Sequence, residues 1–210
     1  MKKIIKFVCA GLLLGTLAAC GDNPDTPDNP DNPDTPATTG VTLTLSAIAD
    51  KIPEGKTYAE AGYTFTVGNY SFSATTGVGK ASVDKDGKGY GAVNAIQFYK
   101  VSDSKRDRGA IKNTTPITGC TTVTVTWYFS RSSEAPQYFP VLQAGTSADA
   151  LSAVSANETT DLTGEATGKY DGSYEICKFV NHYTIPSGAQ YFSFEGAAGS
   201  ASYVGSIVVA

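Results

Sequence analysis

Few side chains in this sequence are of the types that perform catalysis or bind metal ions. The 210 residues contain one His and four Cys, and two of the Cys lie within the first 20 positions. A Ser-His-Asp site would have to use His182 without a Gly-x-Ser-x-Gly sequence, which is absent. Zinc usually takes three or four His or Cys ligands, and Cys120, Cys177 and His182 show no such spacing. We therefore expect no catalytic residue, no metal and no cofactor, and we interpret His182 as a hydrogen-bonded structural residue.

The acidic residues leave two further possibilities open. A glycosidase needs two carboxylates about 5 to 10 Å apart, and Glu175 and Glu195 fall on different predicted strands, without the Glu-x-Asp-x-x-Glu motif of jelly-roll endoglucanases. Asp84-Lys85-Asp86-Gly87 resembles the start of a calcium loop, but the later ligands are missing. We favour a plain turn over calcium at this segment. Glycan degradation stays an alternative to binding.

Aromatic residues near polar ones suggest a sugar-binding site. Sugar rings present C–H faces that pack on Tyr, while Arg and Gln side chains bond the hydroxyls. By alternation Trp127 points inward and Tyr128 outward, and the loop that follows carries Arg131, Gln137 and Tyr138. We predict that Tyr128, Arg131, Gln137 and Tyr138 bind the ligand. The alternative is that these tyrosines cover sheet edges, with their hydroxyls in water.

Two other groups of residues have simpler interpretations. Cys120 and Cys177 could form a disulfide in an exported protein, but no Cys-dense framework surrounds them, and we favour two buried thiols. The charged cluster Lys105-Arg106-Asp107-Arg108 is typical of a solvated loop.

The elements that must position these residues are strands. Apolar and polar residues alternate with a period of two, and no long helical period occurs. Gly68-Asn69 between two alternating segments predicts a tight hairpin. We predict an all-β fold, a two-sheet antiparallel β-sandwich (jelly roll). The predicted strands are residues 41–45, 63–67, 70–73, 95–101, 122–129, 140–144, 174–180, 191–194 and 203–209.

Several of these segments together resemble a known kind of module. The segments 95–100, 121–129, 139–147 and 190–208 are similar to jelly-roll domains of the galactose-binding or carbohydrate-binding type. Such modules are often part of secreted bacterial enzymes and surface lipoproteins. The resemblance implies a sandwich that binds glycans or proteins through its loops or a concave sheet, and it names no ligand.

The N-terminus has the pattern of an export signal. An apolar stretch follows Lys2 and Lys3, is interrupted by Lys6 and ends in Leu17-Ala18-Ala19-Cys20. This ending resembles the lipobox of bacterial lipoproteins, which implies that the Cys20 thiol receives a diacylglycerol, with palmitate among the acyl chains, and that the chain is cleaved before Cys20. Residues 1–19 are thus expected to be a signal peptide, and several acyl chains would anchor the mature protein in a membrane.

The next segment, residues 20–40, is predicted to be a linker. It repeats Asp-(Asn/Thr)-Pro five times, a composition that favours extended polyproline II and cannot form a core. At roughly 3.1 Å per residue it reaches about 60 Å. Without the three signal Lys the chain has 13 basic and 20 acidic residues, and the linker holds five of the acids. The domain, residues 41–210, is therefore close to neutral.

These observations lead to one functional hypothesis with one main alternative. The formal net charge of −4 provides no basic surface for nucleic acid. An acidic run after a lipidated Cys resembles the surface-export signal of lipoproteins from polysaccharide-using gut anaerobes. We expect an outer-membrane, surface-exposed, non-catalytic lipoprotein that binds polysaccharide or glycoconjugate. The alternative is an adhesion or assembly lipoprotein that binds another protein.

Overall fold

The computed structural model describes residues 40–81, 93–100, 106–129, 139–162, 169–170, 174–197 and 201–210, with 169–170 and 174–175 described by their backbone alone. Two antiparallel sheets make this part of the chain an all-β sandwich, which confirms the predicted fold class. Its helical segments are two 3-10 turns, Leu45–Ala47 and Ala49–Lys51. Within the described ranges no helix has the length and apolarity needed to cross a membrane.

The strands of the described residues are β1 (Val41–Thr44), β2 (Tyr63–Val67), β3 (Tyr70–Ala74), β4 (Val78–Lys80), β5 (Ile96–Phe98), β6 (Ala110–Asn113), β7 (Thr122–Phe129), β8 (Val141–Gly145), β9 (Ser152–Val154), β10 (Glu158–Asp161), β11 (Lys169–Tyr170), β12 (Tyr174–Glu175), β13 (Cys177–Thr184), β14 (Tyr191–Glu195) and β15 (Ser202–Val209). The seven-stranded sheet has the order β10-β13-β7-β15-β5-β4, with β1 also paired to β15. The six-stranded sheet has the order β2-β3-β6-β14-β8-β9, and β11 pairs with β12 alone.

The core lies between the two sheets, where the alternation predicts it. In β7 the side chains of Val123, Val125, Trp127 and Phe129 are buried, and those between them face outward. Trp127 is fully buried, with its ring stacked on that of Phe179 at 4.8 Å between centroids. Burial of such aromatic side chains contributes roughly 1.5–3 kcal/mol each, so these inward faces hold the sheets together.

A buried hydrogen-bond chain satisfies the polar atoms in this core. Asn181 is fully buried and accepts a hydrogen bond from Trp127 Nε1 at 3.1 Å. Its Nδ2 donates to the Tyr183 hydroxyl at 3.1 Å, which lies 3.5 Å from the carbonyl oxygen of Pro140, just before β8. Because buried polar groups are costly unless paired, this chain fixes how the two sheets meet.

The predicted hairpin is confirmed, and one predicted strand is divided. Val67 pairs with Tyr70 across Gly68-Asn69, and Gly68 has a φ of +58°, which suits a turn with Gly first. The segment 174–180, expected as one strand, is instead β12 and the start of β13, separated at Ile176. β13 extends to Thr184, beyond the predicted strand end at residue 180, so His182 lies within it. His182 is exposed, with Nδ1 3.4 Å from Thr124 Oγ1.

Cys120 and Cys177 are two buried thiols that form no disulfide, as favoured from the sequence. Cys177 pairs with Phe129 at one end of β7, whereas Cys120 lies just before the other end. A strand of this length spans roughly 25 Å, and a disulfide needs Cα atoms within about 7 Å. Burial also raises the pKa of the Cys120 thiol.

Candidate functional site

The structure places one of the four residues predicted to bind the ligand. Tyr128 points to the outer face of the seven-stranded sheet, as alternation predicts, and is half-buried. Its ring covers Gly205, where a Cβ atom would lie 2.8 Å from Tyr128 Cε2. Arg131, Gln137 and Tyr138 lie outside the described residues, so the binding role of this set stays a prediction.

Tyr128 belongs to a row of residues that crosses four strands in register. Tyr128 pairs with Tyr203, Tyr203 with Gln97, and Gln97 with Gly79. Gly79 also forms a bridge with Tyr58, which precedes β2. Directly paired residues of neighbouring strands face the same side of a sheet, so this row leads from Tyr128 to the sheet edge at β4.

A cavity of about 600 Å³ opens at this edge. Its volume lies within the ordinary range of ligand pockets, about 300–1,000 Å³. The lining combines two aromatic rings, an arginine and several neutral or charged polar groups, and its residues are Lys56, Thr57, Tyr58, Ala59, Glu60, Gln97, Tyr99 and Arg106. We call it the Tyr58 cavity.

One wall of the Tyr58 cavity is an aromatic pair covered by a cation. The rings of Tyr58 and Tyr99 meet edge to face, with 6.2 Å between centroids and an interplanar angle of 83°. The Arg106 guanidinium carbon lies 4.1 Å from the Tyr58 centroid and 5.0 Å from that of Tyr99. Such cation–π contacts contribute about 0.5–2 kcal/mol, so the three side chains hold one another in place.

This arrangement corrects the interpretation of the cluster 105–108 as a solvated loop. Arg106 and Arg108 are both half-buried, and within the described part of the cluster Asp107 alone is exposed. Arg108 Nε donates to the carbonyl oxygen of Gly196 at 2.8 Å, and its Nη1 lies 3.4 Å from Glu195. A run of charged residues usually lies in solvent. Here the Arg106 guanidinium packs on aromatic rings instead, and the Arg108 guanidinium bonds residues at the end of β14.

Hydrogen bonds from the segment between β3 and β4 position Arg106. The Thr75 hydroxyl donates to Arg108 O at 2.7 Å and accepts from Ala110 N at 3.0 Å. Asp107 N donates to Thr76 Oγ1 at 2.8 Å. Gly77 lets the two backbones approach, because a Cβ atom there would lie 2.6 Å from the amide nitrogen of Gly109.

Another glycine makes room for Tyr58 itself. A Cβ atom on Gly79 would lie 2.6 Å from Tyr58 Cδ1 and would collide with the carbonyl oxygen of Thr57. The Thr57 carbonyl also accepts a backbone hydrogen bond from Lys80 at 2.9 Å. The absent side chain at Gly79 therefore allows Tyr58 to lie beside Gln97 at the sheet edge.

Two buried polar atoms at the Tyr58 cavity have no hydrogen bond of normal geometry with any described residue. They are the Tyr58 hydroxyl and Gln97 Oε1. Gln97 is only 8% exposed, and its Nε2 donates to the Tyr203 hydroxyl at 3.4 Å. Burial raises the pKa of the Tyr58 hydroxyl far above its usual value, against the opposing effects of the Arg106 charge and of the close polar contact with its guanidinium, so the hydroxyl keeps its proton. Unsatisfied buried groups of this kind are rare in folded proteins, and a water, an ion or a ligand can satisfy them.

An ion pair marks the outer rim of the Tyr58 cavity. The ammonium group of Lys56 donates a hydrogen bond to the Glu60 carboxylate four residues later. This hydrogen bond lowers the pKa of the Glu60 carboxyl, which is solvent-exposed. The Glu60 carboxylate is therefore ionised at neutral pH and largely offsets the charge of its partner.

The remaining candidate residues do not assemble into a reactive centre within the described ranges. Glu195 contacts Arg108, the side chain of Glu175 is not described, and the segment 84–87 lies outside the described residues. Among the described residues, no group of three or more His, Cys, Asp and Glu could hold a metal ion.

The sequence could have signalled this cavity only in part. Arg106 belongs to a charged cluster that is visible in the sequence, but Tyr58, Gln97 and Tyr99 belong to separate segments with no shared spacing. The topology brings them together. Comparisons with protein-family models, curated protein sequences and solved structures gave no match.

Proposed function

We propose that this chain is a lipid-anchored, surface-exposed, non-catalytic module of the outer membrane that binds polysaccharide or glycoconjugate. The observation that carries the proposal is the Tyr58 cavity, which combines aromatic rings with two buried polar atoms that have no hydrogen bond of normal geometry with any described residue. Sugar units use both features, since their C–H faces pack on aromatic rings and their hydroxyls form hydrogen bonds.

The charges at the cavity support binding rather than hydrolysis. Glycoside hydrolysis needs two carboxyl groups about 5 to 10 Å apart, one of them able to donate a proton. The described lining contains a single carboxylate, Glu60, and Lys56 keeps it ionised at the rim. Glu60 is thus poorly suited to donate a proton to a glycosidic oxygen.

The location in this proposal rests on the sequence. The lipobox-like ending at Cys20 supports a lipid anchor, and the Asp- and Pro-rich segment 20–40 supports a spacer between the anchor and the sandwich. An extended spacer would carry a binding module away from the membrane surface, where polymers can reach it.

A glycan array tests the proposal. The purified full-length chain in detergent should bind at least one class of glycan on the array, and Tyr99→Ala should weaken this binding at least tenfold. Loss of a stacking ring from a sugar site removes both apolar contact and shape. Tyr191→Ala is the matched control, because Tyr191 lies on β14 away from the cavity, and it should bind like the wild type.

Three results would contradict parts of this proposal. A blank array together with a protein that co-purifies in fixed ratio would favour the adhesion alternative. Turnover of a polysaccharide would contradict the non-catalytic role. Loss of binding in Tyr128→Ala but not in Tyr99→Ala would move the site to the residues predicted from the sequence.

A further inference from the structure

We propose that the Tyr58 cavity selects neutral sugar units over acidic ones, because a ligand hydroxyl donates a hydrogen bond to Gln97 Oε1 and pairs with the Tyr58 hydroxyl. This inference rests on the proposed glycan-binding function. It adds the chemical class of the sugar and the two groups that distinguish it.

Gln97 provides the first part of the argument. Its amide is buried in the cavity wall, its Nε2 donates to the Tyr203 hydroxyl, and its Oε1 has no hydrogen bond with any described residue. An amide oxygen accepts hydrogen bonds and cannot donate one. A carboxylate, sulfate or phosphate oxygen is itself an acceptor and has no proton to donate to Gln97 Oε1. A sugar hydroxyl can donate one and would satisfy it. The terminal torsion of Gln is broad, so a small rotation can turn the acceptor toward a ligand.

Tyr58 provides the second part. Its buried hydroxyl stays protonated and can both donate and accept. A sugar hydroxyl has the same two capacities, and two neighbouring hydroxyls can therefore bond Gln97 and Tyr58 together. An anionic oxygen could accept from Tyr58 but has no proton to donate to Gln97 Oε1, which would stay unsatisfied.

The positive charges nearby do not outweigh this preference. Glu60 offsets the charge of Lys56 at the rim. The Arg106 guanidinium lies over the faces of Tyr58 and Tyr99, whose electron-rich surfaces attract it. The two polar atoms of the described lining that lack a hydrogen bond of normal geometry, Gln97 Oε1 and the Tyr58 hydroxyl, are both neutral.

Titration calorimetry on the full-length chain in detergent tests this inference. The probes are cellotetraose, mannotetraose and galactotetraose as neutral ligands, and tetragalacturonate as the acidic one. We expect at least one neutral probe to bind more tightly than tetragalacturonate. Gln97→Met and Tyr58→Phe should each weaken the best neutral binder roughly three- to tenfold, the usual effect of one neutral hydrogen bond.

Two control variants and a folding measurement make the result specific. Gln143→Met and Tyr191→Phe make the same chemical changes on β8 and β14, away from the cavity, and should leave affinity within twofold. Tyr58→Phe keeps the ring that Arg106 contacts, so it tests the hydroxyl alone if Gln97→Met fails to fold. Thermal melting of each variant identifies any loss of structure.

The outcomes separate the inference from the proposed function. Tighter binding of tetragalacturonate than of every neutral probe would overturn the inference and leave glycan binding intact. Neutral binding that is unchanged in both folded variants would also overturn it, because the ligand would then lie elsewhere. No binding by any probe, together with a blank glycan array, would overturn the function and the inference with it.

Discussion

At the scale of single residues, the Tyr58 cavity depends on a glycine, whose lack of a side chain leaves room for a neighbouring segment. Gly79 lies in register between Tyr58 and Gln97. Its missing Cβ atom lets the segment before β2 approach β4 and places the Tyr58 ring under Arg106.

Gly79→Ala should therefore damage both stability and binding. The added methyl group would collide with Thr57 O and the Tyr58 ring, and overpacking of this kind costs typically about 1–3 kcal/mol. We expect this loss in urea denaturation and at least a tenfold loss of glycan affinity. Gly62→Ala is the comparison variant, because its added Cβ would lie 3.2 Å from Ala74 O, a tight contact that needs only a small shift, and it is outside the cavity lining. Wild-type affinity in a folded Gly79→Ala variant would show that the position of Tyr58 does not matter.

At the scale of elements, the site is assembled from pieces that individually carry little signal. Residues 106–109 have no regular secondary structure, yet hydrogen bonds to Thr75, Thr76 and Gly196 fix them beside β4 and β14. The polar strand β10 has the sequence Glu-Thr-Thr-Asp, which shows no alternation of apolar and polar residues. The sequence therefore does not predict this strand, which is stabilised by its pairing with β13.

Thr75→Val tests whether this segment positions Arg106. Valine keeps the shape of threonine but leaves Arg108 O and Ala110 N without the hydroxyl. The free energy of unfolding should fall by about 1–3 kcal/mol, and glycan affinity should fall severalfold as Arg106 loses its fixed place. Thr64→Val on the exposed face of β2 should change neither quantity. Equal effects of the two substitutions would argue against the positioning role.

At the scale of the whole molecule, the fold could be predicted from the sequence and most of the cavity could not. Alternation is a local property, so β7 with its inward Trp127 and the hairpin at Gly68 were both recognisable. The Tyr58 cavity joins Tyr58, Tyr99 and Arg106 from separate segments, and only the pairing of strands determines that they meet. A run of charged residues in the sequence also gives no sign that one of them will form a cation–π contact with buried rings.

The membrane anchor has its own test at this scale. Cys20→Ser removes the thiol that lipidation needs, and several acyl chains make the difference between lasting attachment and release. We expect the Cys20→Ser variant to be lost from the outer-membrane fraction. Intact cells that carry the natural chain should bind glycan, and added protease should cleave the domain on their surface. A Cys20→Ser protein that stays in the membrane fraction would contradict lipid anchoring at this residue.

The most direct test of glycan binding at the Tyr58 cavity is a crystal structure of the protein with the best neutral oligosaccharide from the array. We predict a sugar unit within the cavity beside Tyr99, with hydroxyls in hydrogen-bond contact with Gln97 Oε1 and the Tyr58 hydroxyl. An oligosaccharide bound at Tyr128 or on another surface, with the Tyr58 cavity free of sugar, would contradict it.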